Sequence, residues 1–146
     1  VILTSSQLAE ALNAAGIYPT QWSLADRAYA LPTRQWVLGA YAEALRRLQF
    51  EFAVNHWTAE DNDCDDFARL AAAFAQILHT NTAGHPAATA LAVGELWYLQ
   101  DGGGGHAIVF AVCGPNPEDV LLFEPQTATE KTLSATEKQN ATLARA

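Results

Sequence analysis

Three side chains fall in an order that suits nucleophilic chemistry. Cys64 opens the run Cys64-Asp65-Asp66-Phe67-Ala68, an acidic start followed by apolar residues at helical spacing. Unpaired N–H groups and the dipole at a helix start stabilise a thiolate. The thiolate, not the thiol, attacks electrophilic carbon. A buried cysteine acting as a small hydrophobe is the blander reading. Five acidic or amide neighbours between Asp61 and Asp66 fit that reading poorly. His106 stands 42 residues on, directly after Gly102 to Gly105 and at the head of Ala107-Ile108-Val109-Phe110. Glycines leave room beside an imidazole, and a histidine at a strand mouth is placed to take a proton. Glu124 follows 18 residues later, at the end of Leu121-Leu122-Phe123 and before Pro125. If the two strands pair, its carboxylate reaches the second imidazole nitrogen and fixes the tautomer.

The acids near Cys64 create a conflict. Asp61, Asp63, Asp65 and Asp66 suit a helix start. Yet negative neighbours disfavour a thiolate. A hard cation would remove the conflict, and carboxylate and amide oxygens are its ligands. Asp65, Asp66 and Gln126 are the expected donors for calcium or manganese, although the spacing is not that of an EF-hand loop. Thr58 and Asn55 are weak candidates for an oxyanion donor beside the N–H of Cys64.

The elements that must hold these groups read as helices first and strands second. Thr4-Ser5-Ser6-Gln7 is a capping box, Leu8, Ala11, Leu12 and Ala15 make one face, and Gly16 closes the helix. After Pro32-Thr33, a second helix carries Trp36, Val37, Ala40, Tyr41, Ala44, Leu45 and Leu48, with Arg46 and Arg47 in its last turn. A third starts at about Cys64, with Phe67, Leu70, Ala71, Phe74, Ile77 and Leu78 as its buried stripe. Asn81 to Pro86 is a polar break. Ala90 to Leu99, Ala107 to Cys113 and Val120 to Phe123 read as strands between turn signals. The expected class is α+β, with N-terminal helices packed on a C-terminal antiparallel sheet. One domain over residues 1–146 is expected, with the chemistry at about 50–127.

Composition narrows the partners. The chain has 16 acidic and 8 basic residues, a net charge of −8 that repels phosphate backbones, so no nucleic acid is expected. No apolar run reaches about 18 residues, so no membrane span is expected. Val1-Ile2-Leu3-Thr4 does not read as a signal peptide, and the lack of an initiator Met suggests a processed chain with flanking domains out of view. A soluble protein is expected. Two cysteines make no disulfide framework. Cys113 ends an apolar strand and reads as core. His56 and Trp57 read as packing, His79 and His85 as solvated, and Trp22, Trp36 and Trp97 as core. No spacing supports a zinc site or a phosphate loop.

The order of Cys64, His106 and Glu124 resembles the papain-like and transglutaminase-like cysteine hydrolases. It is most similar to the protease domain at the C-terminus of fungal chimeric lectins of the fairy-ring mushroom agglutinin type, over about Leu31 to Thr127. That resemblance implies a papain-like fold and a Cys–His–Glu triad in a cysteine peptidase or amide hydrolase. It also implies an acyl-enzyme, dependence on calcium or manganese, and a protein or peptide substrate. The sequence departs from papain-type enzymes in lacking a glutamine shortly before the cysteine. The sugar-binding β-trefoil of those lectins is absent, so no sugar binding transfers. Asp63-Cys64 and Gly105-His106-Ala107-Ile108-Val109 also resemble CHAP and NlpC/P60 peptidoglycan hydrolases, without a basic wall-binding surface. A transglutaminase-like acyltransferase and an inactive papain-like interaction domain are the remaining alternatives.

Overall fold

The computed structural model describes residues 1–59, 62–82 and 89–146. Glu60, Asp61, His85 and the end of the expected polar break lie outside them. The chain runs β1 (Ile2–Leu3), α1 (Ser5–Ala14), β2 (Gln21–Ser23), β3 (Tyr29–Ala30) and α2 (Arg34–Trp36). A π-helical turn, Val37–Tyr41, joins α2 to α3 (Ala42–Glu51), and α4 spans Cys64–Thr80. Then come β4 (Ala90–Leu91), β5 (Val93–Leu99), β6 (Gly105–Cys113), β7 (Asp119–Glu124), β8 (Thr129–Glu130), α5 (Ala135–Gln139) and β9 (Ala141–Arg145).

The six-stranded sheet has the order β2-β9-β5-β6-β7-β8, and a three-stranded sheet has the order β1-β3-β4. Both are mixed, because β2 pairs β9 in parallel and β3 pairs β4 in parallel. The expected layout is therefore corrected. The sheets are not a C-terminal antiparallel unit beneath N-terminal helices. Residues before Leu31 supply strands to both sheets, and β9 inserts between β5 and β2. Two- and three-residue strands such as β1, β2 and β3 are too short to show a period of two, so only their partners define them.

Strand β6 separates two cores by simple alternation. Ile108, Phe110 and Val112 join Leu8, Leu12, Ile17 and Leu96 on the α1 side. Val109, Ala111 and Cys113 join Tyr41, Leu45, Ala71 and Phe123 on the side of α3 and α4. Each large apolar side chain so buried contributes about 2 kcal/mol. The Tyr41 hydroxyl donates to the Ala71 carbonyl at 2.7 Å, which fastens the π-turn to α4.

Local signals in the first helix hold. Thr4 and Gln7 form the capping box, and Gly16 takes φ +82°, the left-handed value that glycine adopts without strain. The second helix differs from the periodic reading. Its buried positions are Val37, Tyr41, Ala42, Leu45 and Gln49, while Ala40 is exposed and Ala44 and Leu48 are only half-buried. The π-turn adds a residue to the repeat, so the inward face shifts along the sequence. In α4, Ile77 is 56% exposed and His79 is buried, the reverse of the expected pattern. The indole of Trp57 is 59% exposed, so its expected packing role is also corrected.

Candidate functional site

Helix α4 begins at Cys64, as its sequence pattern requires, and Asp63 is the N-cap in extended conformation. Asp63 makes no side-chain capping bond to the helix. The loop before it is folded on Asn62, whose Nδ2 donates to the carbonyls of Val54 at 3.1 Å and His56 at 2.7 Å. Thr58 and Asn62 exchange two backbone bonds of 2.9 Å each. The Thr58 N–H is thereby engaged within the loop. Asn62 carries no distinguishing mark in the sequence, because an asparagine in an acidic loop looks like any other turn residue.

Strands β6 and β7 bring the other two groups together. Their ladder runs from Cys113↔Asp119 to Val109↔Phe123 and leaves His106 and Glu124 just beyond its last pair. There His106 Nε2 lies 2.8 Å from Glu124 Oε2, with both side chains mostly buried. A carboxylate only accepts, so Nε2 carries the hydrogen and Nδ1 is the acceptor nitrogen of the neutral ring. Glu124 Oε1 accepts the Gln126 N–H at 3.3 Å. The buried Gln49 amide donates to the Pro125 carbonyl at 3.0 Å and steadies the turn that follows the carboxylate. Tyr98, the cross-strand partner of His106, stands edge-on to its ring with centroids 5.7 Å apart.

Cys64 and His106 line one cleft of about 330 Å³ with Asp65, Trp97, Leu99 and Thr142. The thiol is half-buried and receives a hydrogen bond from the backbone N–H of Ala107, the residue after His106. Burial pushes the thiol above its ordinary pKa. The Ala107 N–H works against that shift, and the charges of Asp63 and Asp65 add to it. The conflict read from sequence is thus present in the fold. Cys113 is fully buried, and burial pushes its thiol up to about 12. Neither cysteine is in a disulfide.

The carboxylates of Asp63, Asp65 and Asp66 each place an oxygen within 4.8 Å of the others. Arg69 pairs with Asp65 at 3.0 Å and Asp66 at 3.3 Å. Asp65 is raised above the ordinary carboxyl value, first by its hydrogen bond with Asp63 and then by burial. Asp63 Oδ1 is buried without a hydrogen-bond partner. Clustered hard oxygens with one orphaned lone-pair set fit a cation such as calcium or manganese. Asp63 was not among the expected ligands, while Gln126 lies beside Glu124, bonded to it through its backbone.

Trp97 was expected in the core and is instead a wall of the cleft. Trp22 is likewise 38% exposed, and Trp36 stacks on Tyr41 with centroids 5.2 Å apart. Among the described residues no helix is long and apolar enough to cross a membrane.

No protein-family profile and no curated protein matches the chain. Solved structures do. A structure described as "PSL1a-E64 complex" matches with a TM-score of 0.76 and 21% identity, over 99% of this chain and 51% of that one. The Polyporus squamosus lectin, bound to the human-type influenza-binding epitope Neu5Acα2-6Galβ1-4GlcNAc, matches with a TM-score of 0.75 and 22% identity, over 99% of this chain and 49% of the lectin. The chain thus spans about half the length of each. These matches correct the resemblance to papain-like peptidases, since one of the structures that share the fold is that of the Polyporus squamosus lectin. The expectations built on that resemblance are corrected with it: an enzyme, a cysteine peptidase or amide hydrolase, and a protein or peptide substrate. What the comparisons establish for this chain is a fold shared with a lectin.

Proposed function

We propose that this chain is a module of a lectin-type, carbohydrate-binding protein and carries a thiol-centred ligand site of its own. In that site Cys64 is the nucleophile, His106 Nδ1 accepts its proton, and Glu124 holds the imidazole. The observation that carries this reading is the 2.8 Å contact of His106 with Glu124, at the cleft that Cys64 shares. Such a site captures a ligand with an electrophilic carbon.

The glycan part of the reading comes from the Polyporus squamosus lectin and its epitope. A sialylated glycan carries a carboxylate. Asp65 lines the thiol cleft and Asp63 clusters with it, and their charges repel that group. Glycan recognition therefore belongs to a surface other than this cleft.

Asp63, Asp65 and Asp66, with Gln126 as a further donor, would hold calcium or manganese. The ion would supply positive charge that offsets the aspartates and favours the thiolate.

Alkylation mapped by mass spectrometry tests the site, and titration with the sialylated trisaccharide tests the glycan surface. Iodoacetamide should label Cys64 quickly and Cys113 slowly, with the Cys64 rate lost in His106→Ala. Equal, slow labelling of both cysteines would overturn the thiol site. Trisaccharide affinity unchanged after Cys64 is blocked is the expected second result; competition between the two would place the glycan in the cleft.

A further inference from the structure

Glu95 is a buried acid that the thiol site does not use. It is 5% exposed, in the middle of β5. Its carboxylate is held by Arg145 of β9 through Nε at 3.2 Å and Nη2 at 2.8 Å. Its Oε2 also accepts the indole N–H of Trp97 at 3.1 Å. Alternation along β5 places Glu95 and Trp97 on the same face as Val93, the face that packs against α4. Trp97 is the cross-strand partner of Ala107, whose N–H touches the Cys64 thiol. The Thr142 hydroxyl donates to the Trp97 carbonyl at 3.3 Å. The indole is thus pinned at its nitrogen and at its backbone, and it forms a wall of the cleft beside Cys64 and Leu99.

We propose that Trp97 is the specificity-determining residue of the thiol cleft, selecting ligands that carry a flat apolar group next to the electrophilic carbon, with the Glu95–Arg145 pair setting the plane of its indole. A side chain whose polar edge is already bonded presents its apolar face, and such a face is preorganised for stacking. Leu99, 49% exposed, extends the same apolar wall outward.

This inference rests on the reading of Cys64 as the site's reactive thiol, and the test separates the two. Cys64 alkylation rates are compared for iodoacetamide and its N-phenyl derivative, each divided by the rate with free cysteine. In either reaction the sulfur–carbon bond forms, iodide leaves and the thiol proton is released. The unmodified chain should prefer the phenyl reagent by about tenfold, within the range that one apolar group confers in a fitted pocket. Trp97→Ala should bring that preference to about one. Trp97→Phe, which keeps a ring but loses the bond to Glu95, should fall between them. A preference near one in the unmodified chain, or one that survives in folded Trp97→Ala, would overturn the proposal. The ratio is readable even if Cys64 reacts slowly, so a failed thiol reading shows as low absolute rates and a failed Trp97 reading as an unchanged ratio.

Discussion

Glu124 grips the Nε2 edge of His106 at 2.8 Å just past the last rung of the ladder joining β6 to β7. The pairing is antiparallel, so the mouth of one strand and the end of the next meet at one edge of the sheet. The carboxylate orients the ring and supports positive charge on it. Glu124→Gln keeps the shape and removes the charge. Charge-assisted bonds exceed neutral ones by about 1 kcal/mol or more. The Cys64 alkylation rate at pH 7 should therefore fall about tenfold, with unchanged thermal stability as the control.

Calcium or manganese should speed alkylation of Cys64. Without an ion, burial and the charges of Asp63 and Asp65 hold the thiol above its ordinary value, so the rate–pH curve is displaced upward. Millimolar calcium or manganese should move that curve to lower pH, and chelation should return it. Asp63→Asn should lower the midpoint without any ion and weaken the response to added metal. A curve indifferent to chelator and to this substitution would rule the cation out.

Stability should depend on pH through Asp65. Its folded pKa is raised above the ordinary 3.8. The folded state therefore binds that proton more tightly than the unfolded chain does. The resulting stability is full below the unfolded value and is lost as pH rises through the folded one. Urea titrations across that window should show this loss in the unmodified chain and a smaller one in Asp65→Asn.

Arg145→Ala strands the Glu95 carboxylate in the sheet. Removing one partner of a buried pair is costly, and the 40% exposure of the Arg145 side chain moderates the effect. The expected loss is about 2 kcal/mol by urea titration. Adding Glu95→Leu should recover most of it, because the lone charge is then gone.

Gly94→Ala should be worse than its size suggests. A Cβ at Gly94 would stand 2.2 Å from the Arg145 carbonyl oxygen, a backbone atom of the neighbouring strand. Strand β9 would have to move away from β5. The expected cost is about 3 kcal/mol, with lost amide-exchange protection along β9 as the structural readout.

Parts of this architecture are written locally. The capping box at Thr4 and Gln7, the glycine stop at Gly16, the start of α4 at Cys64 and the apolar runs of β5, β6 and β7 all depend on near neighbours. Short-range periodicity and capping chemistry suffice for them. The short strands β1, β2, β3 and β9 were not legible, because their pairing depends on partners up to 122 residues away, as Gln21 opposite Leu143 shows. The inward face of α3 is not legible for a different reason: a π-turn changes the phase of a helix without leaving a mark in residue type.

The same division runs through the site. The sequence by itself determined which groups are available for chemistry: one thiol at a helix start, one imidazole at a strand mouth and one carboxylate at a strand end. Only the tertiary structure decided their relations. It joined His106 to Glu124, seated Cys64 against Ala107, drew Asp63 into the acidic cluster and turned Trp97 from the core to the cleft wall. Residue types limit what a side chain can do. Register, strand alternation and burial decide what it meets, and these are set by pairings that no local window of sequence contains.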